Sequence, residues 1–123
     1  MTTRPEPLRL SFPASRRLKL SREFARVRTE GRTIRGRLLL LGLLDVADEG
    51  AFRAGFVTSK RVGGAVVRNR VRRRLREIVR RHQHELCTGV WLVLVARPAA
   101  ARASSAELEA EWLKLMARGK TWK

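Results

Sequence analysis

KRVGGAVVRNRVRRRLREIVRR, from Lys60 to Arg81, decides the reading of this chain, because most of its side chains are arginine or aliphatic and the two kinds alternate at helical spacing. At about 100° per residue, Val67, Val71, Leu75, Ile78, Val79 and Leu86 fall within a sector of roughly 120°, the width of a stripe docked on a core. Arg70, Arg72, Arg73, Arg74, Arg76, Arg80 and Arg81 fill the remaining arc, with Glu77 as the only acid. Intrahelical ion pairs cannot neutralise so many cations, so the helix calls for an external polyanion. The pattern predicts a helix from about Ala65 to Leu86, entered through Gly63-Gly64 and stopped by Thr88-Gly89.

Working outward, Phe52 to Ser59 alternates: Phe52, Ala54, Phe56 and Thr58 point one way, Arg53, Gly55, Val57 and Ser59 the other. Before it, Leu38 to Val46 is a continuous apolar run broken by Gly42, which predicts a strand covered on both faces. The Asp48-Glu49-Gly50 turn between these segments predicts that they pair as an antiparallel hairpin. After the long helix, Val90 to Ala96 is apolar on both faces and ends at Arg97-Pro98, as an interior strand would. A first short helix is expected from about Arg22 to Glu30, with Ser21 as N-cap, Glu23 in its first turn, and Phe24 and Val27 on one face. Beyond a linker from Ala99 to Ala103, Ser104 and Glu107 form a capping box for a last helix that turns Leu108, Trp112, Leu115 and Met116 inward. The expected architecture is α+β, a single-domain sandwich of a small mixed sheet with three helices. Residues 1–17, with Pro5, Pro7 and Pro13, read as a flexible basic arm, 18–117 as the folded domain, and 118–123 as a frayed tail.

Composition narrows the partner. The chain has 123 residues, one domain's worth, with 28 Lys+Arg against 11 Asp+Glu and a formal charge of +17, which makes nucleic acid the leading partner class. Arginine outnumbers lysine, and its planar fork suits phosphate. The single Cys87 excludes an internal disulfide, and no apolar run approaches the roughly 20 residues of a membrane helix, so the expected location is the cytoplasm. The basic helix has no Trp or Phe between Lys60 and Cys87 to bury in a lipid surface, and no membrane partner is expected. His82, His84, Glu85 and Cys87 cluster in sequence, but His82 and His84 lie about 200° apart on a helix and cannot converge on one ion; His82 falls in the apolar stripe as a core-edge histidine. No nucleophile–base constellation and no paired carboxylates are present, and Glu107, Glu109 and Glu111 read as solvated surface. Catalytic residues and metal ligands are therefore expected to be none. Gly63-Gly64 is a strand-to-helix turn rather than a nucleotide loop, yet Lys60, Arg61 and the helix start can dock a backbone phosphate.

At Val57 to Glu77, VTSKRVGGAVVRNRVRRRLRE closely resembles the signature of the protein subunit of bacterial ribonuclease P, centred on the triplet Arg68-Asn69-Arg70. LKLSREFARVRTEG at Leu18 to Gly31, FRAGFVTSK, and VWLVLVARPAA extend the resemblance over roughly Leu18 to Met116. The resemblance implies a left-handed β-α-β crossover, an exception to the usual hand, and a holoenzyme that removes the 5′ leader of precursor tRNA. In it the RNA catalyses the hydrolysis with magnesium that the RNA mainly holds.

Carried over by position, the resemblance assigns Lys60, Arg61, Arg68, Asn69, Arg70, Arg72 and Arg73 to the catalytic RNA, with Asn69 also ordering the helix start. It assigns Phe24, by stacking, and Arg28, Arg53 and Ser59, by polar contacts, to the leader. Two departures stand out: Arg28 occupies a position where the family usually has a second aromatic, and Leu41-Gly42 lies where a tyrosine is common. Both imply less stacking and more charge along the leader path. The alternative reading is a general basic RNA-binding or ribosome-associated protein with no catalytic complex; a DNA-binding helix module stands third, and no DNA partner is expected.

Overall fold

The structure is a computed structural model that describes residues 17–46 and 52–121. The expected arm up to Arg16, the Asp48-Glu49-Gly50 turn and Trp122-Lys123 lie outside the described residues. The elements in chain order are α1 (Ser21–Glu30), β1 (Arg32–Arg35), β2 (Leu39–Asp45), β3 (Arg53–Thr58), α2 (Ala65–His82), β4 (Val90–Ala96) and α3 (Ser105–Arg118). Three helices on a four-stranded mixed sheet give the expected α+β class. None of the described helices is long and apolar enough to cross a membrane.

The sheet order, β1-β2-β4-β3, overturns the predicted hairpin. β2 and β3 do not touch; β4 lies between them, antiparallel to β2 and parallel to β3, so that Leu94 faces Leu41 on one side and Phe56 on the other. The physical reason is burial. β4 is apolar on both faces and recovers most by taking the centre, whereas β3 carries Arg53 and Gly55 on one face and tolerates an edge. Proximity in sequence and a turn signal favoured the hairpin, and two-sided hydrophobicity outweighed both. β1, pairing Arg32 to Arg35 with Leu43 to Leu40, was not anticipated, because a four-residue edge strand with one aliphatic, Ile34, leaves almost no periodic signal.

One face of the sheet turns Leu39, Leu41, Leu43, Ala54, Leu92 and Leu94 toward α2 and α3. There they meet Val71, Leu75, Ile78 and Val79 of α2, all 0–1% exposed, so the stripe read from the sequence is the one the fold buries. Each such side chain contributes about 1.5–3 kcal/mol on burial. The other face, with Leu44, Trp91 and Val93, is covered by Leu18 and by Val27 and Phe24 of α1. Leu86 is buried as expected, but it lies past the helix: α2 ends at His82 and a 3₁₀ turn, Gln83–Glu85, follows.

The helix ends follow local chemistry. Gly63 has φ of 150°, and a Cβ there would lie 3.0 Å from that of Val67, so the turn into α2 requires glycine. At α3 the capping box forms, with Glu107 N–H donating to Ser104 Oγ at 3.1 Å and Ser104 N–H to Glu107 Oε1 at 2.8 Å. At α1 the cap is Leu20 rather than Ser21, and Glu23 Oε1 accepts from Lys19 and Leu20 N–H, both at 2.9 Å.

Two further expectations change. Cys87 N–H donates to the Thr121 carbonyl at 2.9 Å, and Thr121, 3% exposed, donates its hydroxyl to Met116 O at 2.9 Å, so the described part of the expected frayed tail is packed as far as Thr121. The acids of α3 are not bare surface either. Glu111 Oε2 accepts from Leu38 N–H at 2.6 Å and Leu39 N–H at 2.7 Å, satisfying the backbone where β2 begins.

Candidate RNA-binding surfaces

The arginines of α2 fall on two flanks, and neutral oxygens hold several of them. On the flank over β3, Arg72 donates from Nη2 to Thr58 Oγ1 at 2.6 Å and from Nη1 to Asn69 Oδ1 at 3.0 Å. On the flank over α3, Arg70 Nη2 donates to Ala101 O at 3.0 Å and Arg74 Nη1 to Ala103 O at 2.9 Å. A hydroxyl, an amide or a carbonyl positions a guanidinium without cancelling its charge. The last turn of α2 differs: Arg80 pairs with Glu77, and Arg81 with Glu109 at 2.9 Å. Unneutralised charge is thus concentrated between Arg68 and Arg76. In that segment the Nε atoms of Arg68, Arg70 and Arg76 are buried with no hydrogen-bond partner among the described residues.

Lys60 and Arg61 are exposed on a tight turn in which Ser59 O accepts from Val62 N–H at 3.0 Å and Ser59 Oγ from Arg61 N–H at 3.3 Å. Arg73 is exposed and Arg68 half-buried. The seven residues assigned to the catalytic RNA therefore lie on α2 and the turn that enters it. Asn69 departs from its expected role. Gly64 caps the helix with no side-chain bond, and the Asn69 oxygen is used to hold Arg72 instead of ordering the helix start.

The four leader residues do not form one site. Phe24 and Arg28 line a groove of about 440 Å³ whose walls include Leu40, Val57, Val93 and Val95, with Gly42 opening it beside Val27. The Phe24 ring packs against Gly55, where a Cβ would collide with it. Arg53 is across α1, in a separate groove with Arg22, Arg26 and Trp91. Its Nη1 donates to Glu23 Oε2 at 2.9 Å, and its guanidinium sits 5.8 Å from the Trp91 ring centroid. Burial acts to raise the Glu23 pKa, but the Leu20 and Lys19 N–H groups and Arg53 outweigh it and hold the carboxyl below its ordinary value. Ser59 stands at the other end of β3, with Lys60 and Arg61. Two groove residues were missed, Thr33 and Arg35, both on the unanticipated β1. The bracketing pair Gly31 and Gly36 was the one signal that could have found them.

His82 is a core-edge residue, as read from the sequence. Its Nε2 meets Glu109 Oε2 at 2.6 Å, and its ring is 5.5 Å from that of Trp112. No group of three or more His, Cys, Asp or Glu suited to a metal occurs among the described residues.

A mixed α+β sheet carrying one helix of arginines tethered by neutral acceptors defines a basic nucleic-acid-binding protein. The chain belongs to the ribonuclease P protein family, whose sequence profile matches residues 12–120. It is 44% identical over 108 residues to the ribonuclease P protein component of Acidothermus cellulolyticus, spanning 87% of this chain and 90% of that protein. The counterpart from Beutenbergia cavernae is 47% identical over 98 residues, covering 80% and 82%. The fold matches the Staphylococcus aureus RNase P protein at a TM-score of 0.82 and 22% identity, over 88% of this chain and 98% of that one. It matches the Thermotoga maritima RNase P protein at 0.75 and 25%, over 83% and 96%.

Proposed function

We propose that this chain binds the catalytic RNA of ribonuclease P through Lys60, Arg61 and the Arg68–Arg76 segment of α2, and guides the 5′ leader of precursor tRNA along the groove between α1 and the sheet. The observation that carries this reading is the row of guanidiniums fixed by neutral oxygens, which leaves their charge for phosphates. In the groove, Phe24 offers a ring edge to an unstacked base, and Arg28 and Arg35 offer cations to its phosphates. Arg53 and Ser59 would contact the leader outside that groove, at the two ends of β3.

The protein supplies binding and orientation, and the RNA the chemistry. Among the described residues no group of three or more His, Cys, Asp or Glu is suited to a metal, and Glu23, Glu77, Glu107, Glu109 and Glu111 are each already taken by a cation or by backbone N–H groups. Magnesium is therefore assigned to the RNA, and no step passes through a metal on the protein. Membership of the family favours this reading over a general basic RNA-binding protein. The test is to add the pure protein to a bacterial ribonuclease P RNA and a precursor tRNA at low magnesium. Leader cleavage should rise above that of RNA alone, and no increase would overturn the proposal.

A further inference from the structure

The turn between β1 and β2 is held by three side chains from distant parts of the chain, and one of them is an acid that ignores the cations around it. Gly36 N–H closes the turn on Leu39 O at 2.8 Å. Glu111, half-buried in the middle of α3, reaches this turn from 72 to 74 residues along the chain. Its Oε1 accepts from Arg37 N–H at 3.2 Å, and its Oε2 from Leu38 N–H at 2.6 Å and Leu39 N–H at 2.7 Å. Two carbonyls of the turn are taken as well, Arg35 O by Arg118 Nη1 at 3.4 Å and Gly36 O by Arg97 Nη1 at 2.9 Å. Arg37 and Lys114 line the same recess as Glu111, yet Glu111 forms no ion pair among the described residues. A carboxylate that passes over two cations for three backbone N–H groups fixes the path of the chain. Gly36 makes room for it, because a Cβ there would run into the Glu111 carboxylate.

What this turn positions is one wall of the groove beside α1. β1 supplies Thr33 and Arg35 to that wall. It is a four-residue edge strand whose one aliphatic is Ile34, so it has little buried surface of its own to hold it in place. Arg35 is the last residue of β1 and directly precedes Gly36, so the carboxylate that fixes residues 37–39 also fixes where the Arg35 guanidinium stands. Arg35 is exposed and forms no ion pair among the described residues, which leaves its charge to the groove. A side chain held in place before its ligand arrives loses less freedom on binding.

We infer that Glu111 is a positioning residue for the 5′ leader: by tying the β1–β2 turn to α3 it holds Arg35 in the wall of the leader groove. The inference rests on the leader reading above and adds to it a residue from the opposite face of the sheet, since α3 packs on one face and α1 on the other.

The test compares the wild type, E111Q, R35A and the double variant R35A/E111Q, each as the full chain assembled with a bacterial ribonuclease P RNA. Each particle is titrated with a precursor tRNA carrying its leader and with the same tRNA lacking it. Glutamine keeps the size of Glu111 but replaces one acceptor oxygen with an N–H2 group that faces backbone donors. E111Q and R35A should each lower the preference for the leader-bearing RNA by about threefold to tenfold, one hydrogen-bonded contact's worth. The double variant should fall no further than R35A, because Glu111 acts through Arg35. Assembly of E111Q with the catalytic RNA should keep its wild-type affinity, which a general loss of structure would not allow. Hydrogen exchange at the Arg37, Leu38 and Leu39 amides should quicken in E111Q while that of β4 stays slow. G36A, which displaces the carboxylate, should repeat the E111Q result, and it is read instead should E111Q not fold.

Wild-type leader preference in E111Q would overturn the inference. So would a double variant that loses the full product of the two single effects, or a leader preference lost only together with assembly. A wild type that binds both RNAs equally would overturn the leader reading instead. Exchange then decides the tie by itself: amides at Arg37 to Leu39 that are slow in the wild type and fast in E111Q uphold it, and equal rates remove it.

Discussion

Glu109 shows how far a residue's role can sit from its sequence context. In sequence it is one acid among three on a polar helix face; in the fold it joins α3 to the end of α2 through His82 and Arg81. The hydrogen bond from His82 is the main influence that holds its carboxyl below the ordinary 4.5, and that from Arg81 adds to it. A carboxylate whose pKa is lowered by folding stabilises the fold above its unfolded value and loses that contribution as pH falls through the lowered one. Thermal melts of the wild type should therefore lose stability as pH falls below 4.5, and E109Q should lose less over the same interval while starting from a lower melting temperature at neutral pH. Glu111 likewise serves β2, and Asn69 serves Arg72. None of these partners was legible, because each is decided by which elements pack together. Ser104 and Glu107 were legible because a capping box closes within four residues.

At the scale of elements, hydrophobic periodicity was a sound guide wherever a segment had one covered stripe or two covered faces. The face of α2, the interior place of β4 and the inward face of α3 all followed from it. Pairing did not, because adjacency in the sheet depends on which strand most needs both neighbours. The leader surface suffered for the same reason: Phe24 and Arg53 both project from the helix-α1 side of the structure, but α1 itself separates their grooves. The two binding surfaces make a separable prediction. R68A combined with R70A should weaken assembly with the catalytic RNA while lowering the circular dichroism melt only modestly, since both half-buried residues lie outside the buried stripe and only the Arg70 bond to Ala101 O is given up. Phe24→Ala should leave assembly largely unchanged and reduce the preference for leader-bearing over leaderless precursor tRNA. The same defect in both variants would merge the surfaces into one.

For the whole molecule, +17 on 123 residues sets the terms of binding. If six to ten phosphates are neutralised, affinity for RNA should fall by roughly 10³ to 10⁵ between 50 and 200 mM salt. A nearly flat titration would place the guanidiniums away from phosphates. The fold class and the partner class were legible at this scale, because net charge and layer pattern are sums over the chain and survive errors in any one element. The central position of β4 has a consequence for synthesis. During translation β2 and β3 emerge well before the strand that must lie between them, and Val90 has to return to Asp45 across the whole of α2. Until β4 has left the ribosome the sheet has no middle, and the arginine helix trails from an unfinished core. A nascent chain stopped at Gly89 would therefore be a cationic helix without a platform, drawn to whatever RNA is nearest, and the first of these is the ribosome making it.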